Sequence, residues 1–361
     1  MDTTTRDSRI APVKGQDSSR FFNDQFYTNG FYRDYVEGSR RSAREIVPLV
    51  LDLVEVYRVI DVGCGLGTWL TVFTEHGVKD VYGIDGDHID VGMLEIPKSR
   101  FLPLDLQRPF RMDGQFDLVV SLEVAQNLPH ECAAGFIDSL TSLGPVILFS
   151  AAIPYQGGYY HINEQWPDYW EKHFLAKEYV VLDCIRQRVW ENDNVEWWYA
   201  QNTFIFARRD LVESHALLKA AAEETKSSQL SIVHPKKFLD AVEHLRLDFL
   251  RRDIAALIPA GDAFILVDEN RFDSDLAAGR TAIPFLERNG HYWGKPPDDK
   301  TAIRELERLR QQGANFIVFA WPALWWLDYY SELHEHLRSE FRCIRESDRL
   351  IAFDLRFATE G

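Results

Sequence analysis

The run Val59-Ile60-Asp61-Val62-Gly63-Cys64-Gly65-Leu66-Gly67-Thr68-Trp69-Leu70 couples a short apolar strand to a glycine-rich turn and then to a helix. Glycines at 63, 65 and 67 remove the Cβ atoms that would hold a ligand away from the backbone, and they permit positive φ in a tight strand-to-helix crossing. Val81-Tyr82-Gly83-Ile84-Asp85 reads as a second strand ending in a carboxylate. That acid falls about twenty residues past the turn, the spacing at which a side chain accepts hydrogen bonds from ribose hydroxyls. From Tyr57 to Arg208 apolar runs alternate with helical patterns, the signature of a mostly parallel sheet covered on both faces. The expectation is an α/β chain whose ligand crevice opens at the carboxyl ends of its strands.

The turn reads Asp-x-Gly-x-Gly-x-Gly with the acid inside the strand. This differs from the Gly-x-Gly-x-x-Gly that seats a pyrophosphate on a helix N-terminus. It resembles motif I of the class I S-adenosylmethionine-dependent methyltransferases, whose cofactor has no phosphate to cradle. Leu104-Asp105-Leu106 and Phe116-Asp117-Leu118-Val119-Val120-Ser121-Leu122-Glu123 are similar to the later motifs of that class, in the expected order. Tyr179 to Cys184 and Asn202 to Ala207 resemble the closing antiparallel pair of its sheet, after a fifth strand at Val146 to Phe149. Gly38 to Ala43, Leu94 to Pro97, Phe149 to Pro154 with Gln156-Gly157-Gly158, and His161 to Trp170 resemble one bacterial methyltransferase family, often associated with polysaccharide or natural-product sugar biosynthesis.

That resemblance runs from about residue 25 to 208. It implies S-adenosylmethionine as cofactor, with Asp61, Gly63, Gly65 and Gly67 shaping the methionine end, Asp85 at the ribose and Asp105 at the adenine. Glu123 would face the sulfonium or the acceptor, the alternative being a plain strand-end carboxylate. Arg41 or Ser39 would meet the cofactor carboxylate, unless Arg41 is only a solvated helix residue.

A hydroxyl acceptor must lose a proton, and histidine is best matched to taking it near neutral pH. His161 is the leading candidate, in a loop with a Gly-Gly hinge beside Asn163, Glu164 and Trp166; the alternative is a histidine that caps the following helix. His130, after the fourth strand, is the second, and Glu164 completes the catalytic set. The family commonly has Glu-His-Leu-Pro where this chain has Gln126-Asn127-Leu128-Pro129. Asn127 can donate or accept a hydrogen bond but cannot remove a proton. Trp197, Trp198 and Tyr199 either line an acceptor pocket or pack.

At 361 residues and 46% hydrophobic content the chain can bury two cores. Residues 1–20 read as a disordered lead-in, 21–209 as the methyltransferase domain, 210–258 as a helical connector and 259–361 as a smaller C-terminal α/β module. The aromatics Phe21, Phe22, Phe26, Tyr27, Phe31, Tyr32 and Tyr35 either form a lid over the cofactor or close the end of the sheet. The fold class is thus a Rossmann-like methyltransferase sheet with closing antiparallel strands, plus a connector and a second α/β domain. Tyr292 to Pro297 and Phe319 to Leu327 resemble a module attached to bacterial glycosyltransferases. In that module Trp293, Trp325, Trp326 and Tyr329 offer faces for a sugar ring, or core packing at helical spacing.

A formal charge of −16 argues against nucleic acid as partner. No run of 18 apolar residues predicts a membrane span. Residues 1–16 lack the apolar stretch of a signal peptide. Cys64, Cys132, Cys184 and Cys343 are too scattered for a zinc site, and no metal is expected. These features suit a cytoplasmic enzyme that methylates oxygen on a sugar or glycan precursor. An N-methyltransferase on an amino sugar and a cofactor-binding scaffold without turnover are the alternatives. A glycosyltransferase or a second copy of the chain would be its protein partner.

Overall fold

The computed structural model describes residues 31–158, 160–272, 274–277 and 279–358. The lead-in and Phe21, Phe22, Phe26 and Tyr27 lie outside them. The chain divides into two compact units, Met1–Lys237 and Phe238–Gly361.

The first unit opens on helix α1 (Phe31–Leu51), which buries Ala43, Ile46, Val47 and Val50 at the i, i+3, i+4, i+7 spacing of one helical face. Then follow β1 (Arg58–Val62), α2 (Thr68–Glu75), β2 (Asp80–Asp85), β3 (Phe101–Pro103) and β4 (Leu118–Leu122). Next come α3 (Ala133–Leu143), β5 (Val146–Ser150), α4 (Pro167–Leu175) and β6 (Tyr179–Leu182). The short helices α5 (Arg186–Val189) and α6 (Trp197–Asn202) lead to β7 (Phe204–Arg208), α7 (Arg209–Ser214) and α8 (Ala216–Glu224).

The seven strands lie in the order β3-β2-β1-β4-β5-β7-β6. The first five are parallel, and β7 runs antiparallel to both β5 and β6. Successive strand residues point to opposite faces, so Val59, Leu118, Val120 and Leu148 join one core while Ile60, Val119, Ile147 and Phe149 join the other. Near-continuous apolar runs are what a sheet covered on both faces requires. Order reverses at β1 and β4, where the crossovers leave in opposite directions. A crevice opens there at the carboxyl ends of the strands.

Helix α9 (Pro235–Leu257) spans the boundary of the two units; its Leu250 and Ile254 belong to the second core, whereas Val212 of α7 and Leu218 of α8 belong to the first. The second unit continues with β8 (Ala263–Val267), β9 (Thr281–Pro284), the small pair β10 (Glu287–Arg288) and β11 (His291–Tyr292), and α10 (Asp299–Gln311). It ends with β12 (Ala314–Ala320), α11 (Trp326–Tyr329), α12 (Ser331–Glu340), β13 (Phe341–Glu346) and β14 (Leu350–Ala358). Its sheet has the order β13-β14-β12-β8-β9, with β9, β8 and β12 parallel and β14 and β13 antiparallel.

The stretch from Leu324 to Phe341 is not one helix: it is broken at Tyr330, whose ψ of 75° departs from the helical range and whose hydroxyl donates to Pro296 O at 2.7 Å. Trp325 and Tyr329 of that stretch are exposed, at 38% and 68%, while Trp326 and Leu333 are buried, so the core reading holds for only part of the set. Among the described residues no helix is long and apolar enough to cross a membrane.

Candidate functional site

A cavity of about 730 Å³ opens at the carboxyl ends of β1 to β4. Its floor is the turn between β1 and α2. Gly63, Gly65 and Gly67 all have positive φ, at 87°, 54° and 87°. A Cβ on Gly63 would overlap Val124 Cγ2, and one on Gly67 would stand 2.9 Å from Ile96 Cγ2. Gly65 differs: a Cβ there would meet nothing within 4 Å, because that position faces the cleft. The turn is clamped from the next strand. Gly63 N donates to Ile84 O at 2.7 Å, and Gly65 N donates to Asp85 Oδ2 at 2.7 Å.

Five carboxylates line the cavity: Asp61, Asp85, Asp87, Asp105 and Glu123. The described lining includes no lysine or arginine; His88 is its one ionisable base. Asp61 is buried at 3% exposure, and burial, followed by the neighbouring Asp85 charge, raises its acid well above the ordinary range. Asp85 is also raised by burial, against hydrogen bonds from Gly65 N and Gly86 N that favour its ionised form. Asp105 accepts from Gln107 N at 3.0 Å and keeps half its side chain exposed. Ile89, Leu104, Leu106, Leu122 and Leu128 give apolar walls, and Trp69, Tyr199 and Ser39 also line the cavity.

Glu123 follows β4 in the left-handed region at φ 57°. Its Oε1 accepts from Asn202 Nδ2 at 3.1 Å, and its Oε2 from Gln126 Nε2 and Gln156 Nε2, each at 3.3 Å. Burial pushes its carboxyl up to about 7 in spite of those donors. Ser39 Oγ bonds Tyr199 Oη at 3.1 Å, and Tyr199 meets Trp69 edge to face at 5.2 Å between centroids.

The structure thus brings Asp61, Gly63, Gly65, Asp85, Asp105, Glu123 and Ser39 to one cavity. Gly67 stands behind the turn, against Ile96. Arg41 is not in the lining; it is half exposed and pairs with Glu196 Oε1 at 2.9 Å. His161, Glu164 and His130 are also outside the lining. His161 Nδ1 lies 3.0 Å from Glu164 Oε1, and the same oxygen accepts from Gly157 N at 2.8 Å, so the pair pins its own loop. His130 is exposed, with Nδ1 3.3 Å from Asn163 Oδ1 and 3.2 Å from Tyr169 Oη. Asn127 does line the cavity, at the place where a histidine was looked for. Reasoning from the sequence missed Trp69, Gln126, Gln156 and Asn202; the last three are polar residues whose burial appears only in the folded chain, and no spacing marks them.

Residues 32–152, about a third of the chain, match a family model described as a methyltransferase domain. No curated protein matches the chain. Among solved structures it is similar to DesVI of Streptomyces venezuelae, at 17% identity over 49% of this chain and 95% of that one, with a TM-score of 0.38. It is also similar to magnesium protoporphyrin IX methyltransferase of Synechocystis with bound S-adenosylmethionine, at 20% identity over 53% and 89%, TM-score 0.35. A third is CalS10, an amino pentose methyltransferase from Micromonospora echinaspora, at 14% identity over 49% and 96%, TM-score 0.35. Residues 32–152, which fit that methyltransferase-domain model, contain the five parallel strands β1 to β5 of the seven-stranded sheet.

Proposed function

We propose that this domain uses S-adenosylmethionine to methylate a small acceptor, an oxygen on a sugar or glycan precursor. The observation that carries the cofactor reading is the charge of the cavity: five carboxylates and no lysine or arginine among the described lining residues. A dinucleotide brings phosphates, which such a wall would repel. S-adenosylmethionine has a sulfonium, an ammonium and a carboxylate, hence a net positive charge. It also needs a bare backbone to lie against, and Gly65 offers open space where a Cβ would otherwise stand.

In this reading Asp85 accepts from the ribose hydroxyls, Asp105 lies toward the base, and Asp61 draws the ammonium. S-adenosylmethionine supplies an electrophilic methyl group. The chain contributes placement, which accounts for much of the rate of a displacement between two bound partners. The apolar walls limit water at the cleft. In the same reading His161 with Glu164 takes the acceptor's proton when the loop that carries the pair closes on the acceptor. The second unit would recognise the acceptor or dock a glycosyltransferase, and a cytoplasmic setting belongs to the same reading.

A second reading is favoured by Asn127 at the cavity wall: a domain that holds the cofactor and does not turn it over. Incubation with S-adenosylmethionine and a panel of nucleotide sugars and oligosaccharides decides between them. Formation of S-adenosylhomocysteine in step with a methylated sugar supports the enzyme. Cofactor binding with no product across hydroxyl and amino sugars supports the scaffold.

A further inference from the structure

We propose that Glu123 is the residue by which this cavity tells a sulfonium from the neutral thioether left after methyl transfer, its carboxylate being held in the cleft by side-chain amides from three segments. The inference rests on the cofactor reading above and goes beyond it by naming a discriminating charge.

The carboxylates lie in order along the sheet edge. Asp105 follows β3, Asp85 ends β2, Asp61 is in β1 and Glu123 follows β4, and these strands are neighbours in that sequence. At ~4.8 Å per strand, three steps span roughly 14 Å, comparable with a nucleoside joined to an amino acid. With ribose and base at β2 and β3, the sulfur-bearing part falls toward β1 and β4. Glu123 stands at that end.

Its holding is unusual for a carboxylate. Glu123 N donates to Ser150 O at 3.1 Å and lies 3.0 Å from Ser150 Oγ. The three amides that bond its oxygens are themselves fixed: Gln126 Oε1 accepts from Ala152 N at 3.3 Å, while Gln156 Oε1 accepts from Ile153 N at 3.2 Å and from Asn202 Nδ2 at 2.9 Å. Amides orient a carboxylate without cancelling its charge. None of the hydrogen bonds and ion pairs found for Glu123 comes from a cation. The field of the ionised form is therefore left for whatever occupies the cleft, and with its acid raised to about 7 the group is poised between charged and neutral.

A cation beside it pulls Glu123 into the ionised state, whereas a thioether does not. The other titratable groups at the cavity are Asp61 on β1, Asp85 at the end of β2, Asp87 and His88 just after it, Asp105 after β3, the Cys64 thiol in the turn and the Tyr199 phenol on α6. The elements that touch Glu123 directly contribute only neutral amides and the Ser150 hydroxyl. Asp61 is the rival, since its acid is raised as well.

The test is calorimetric titration of the full chain with S-adenosylmethionine and with S-adenosylhomocysteine between pH 5.5 and 8.5. Their shared amino and carboxylate groups cancel in the affinity ratio. The preference for the sulfonium is expected to rise five- to tenfold with pH, since a one-unit shift of one carboxyl is a factor of ten. Glu123→Gln is expected to hold the ratio flat at its acid value, and Asp61→Asn to keep the rise. A ratio in the unmodified protein that does not change with pH overturns the proposal, as does a rise lost in Asp61→Asn and kept in Glu123→Gln. In the unmodified protein, heats measured in buffers of different ionisation enthalpy should show a proton released near pH 7 by the sulfonium and none by the thioether; equal release contradicts it without any variant. Binding of neither compound at any pH overturns the cofactor reading itself, a distinguishable result.

Discussion

Gly63→Ala and Gly65→Ala change the same turn by the same atom, and the structure assigns them different costs. At Gly63 the φ of 87° lies beyond the left-handed well, and the new Cβ would overlap one Val124 methyl and stand 2.9 Å from the other. Val124 is buried and, being β-branched, has little rotamer freedom with which to yield. Backbone strain costs about 1–2 kcal/mol, and forcing a close-packed contact costs about 1–3 kcal/mol more. The sum, ~2–5 kcal/mol, is a large part of the 5–15 kcal/mol that typically holds a domain together. At Gly65 the φ of 54° lies inside the left-handed well and nothing is within 4 Å, so its cost is about 1 kcal/mol. Urea titration with hydrogen exchange read on peptides of β1 and β4 reports the first unit separately. Gly63→Ala should be the more destabilised by ~1–4 kcal/mol, and adding Val124→Ala should recover a good part of the loss, because the two sites share one contact. Gly65→Ala should instead weaken S-adenosylmethionine, its methyl standing in the cleft. Equal destabilisation by the two, or no rescue by Val124→Ala, would refute the account of the turn.

Other outcomes follow from single groups. Asp85→Asn leaves one acceptor oxygen where two backbone amides now bond; loss of a charged acceptor worth about 1.5–3 kcal/mol should weaken S-adenosylmethionine by ~10- to 100-fold in calorimetry. Asp61 has a folded-state acid raised above its unfolded value. Its contribution to stability is complete below the unfolded value and is lost as pH rises through the raised one. Asp61→Asn should therefore stabilise the first unit at neutral pH, with the gain vanishing toward pH 4 in denaturant titrations across pH. In the second unit, Asp298 Oδ1 accepts from Thr301 N at 2.7 Å at the start of α10. Asp298→Ala should cost that unit about 1 kcal/mol, read by exchange of α10 peptides.

Local rules made some elements legible and not others. The β1 turn was readable because its three positive φ angles call for glycine, and β1, β4 and β5 because strands buried on both faces are mostly apolar. Either Asp298 or Asp299 could have capped α10 on local chemistry, and the structure uses Asp298; Gly313, with φ 102°, follows its end. Strand β3 is three residues long, and β9 ends in Pro284, so neither carries a period to detect. Strand β13 was not singled out, because Arg342, Arg345 and Glu346 interrupt the apolar alternation by which a strand is recognised. Spacing from the turn pointed to Asp85, and the resemblance to Asp61 and Asp105; all three line the cavity. The amides around Glu123 come from positions 126, 156 and 202, which only the folded sheet brings together. His161 was singled out by its loop, yet the partner that occupies it, Glu164, was three residues away in the sequence.

The most direct measurement is a calorimetric comparison of S-adenosylmethionine with NAD at neutral pH and moderate salt. A cleft faced by five carboxylates, with no lysine or arginine in its described lining, should bind the sulfonium nucleoside one to one and give no heat with the dinucleotide. Saturable binding of NAD with none of S-adenosylmethionine would contradict the account at its base.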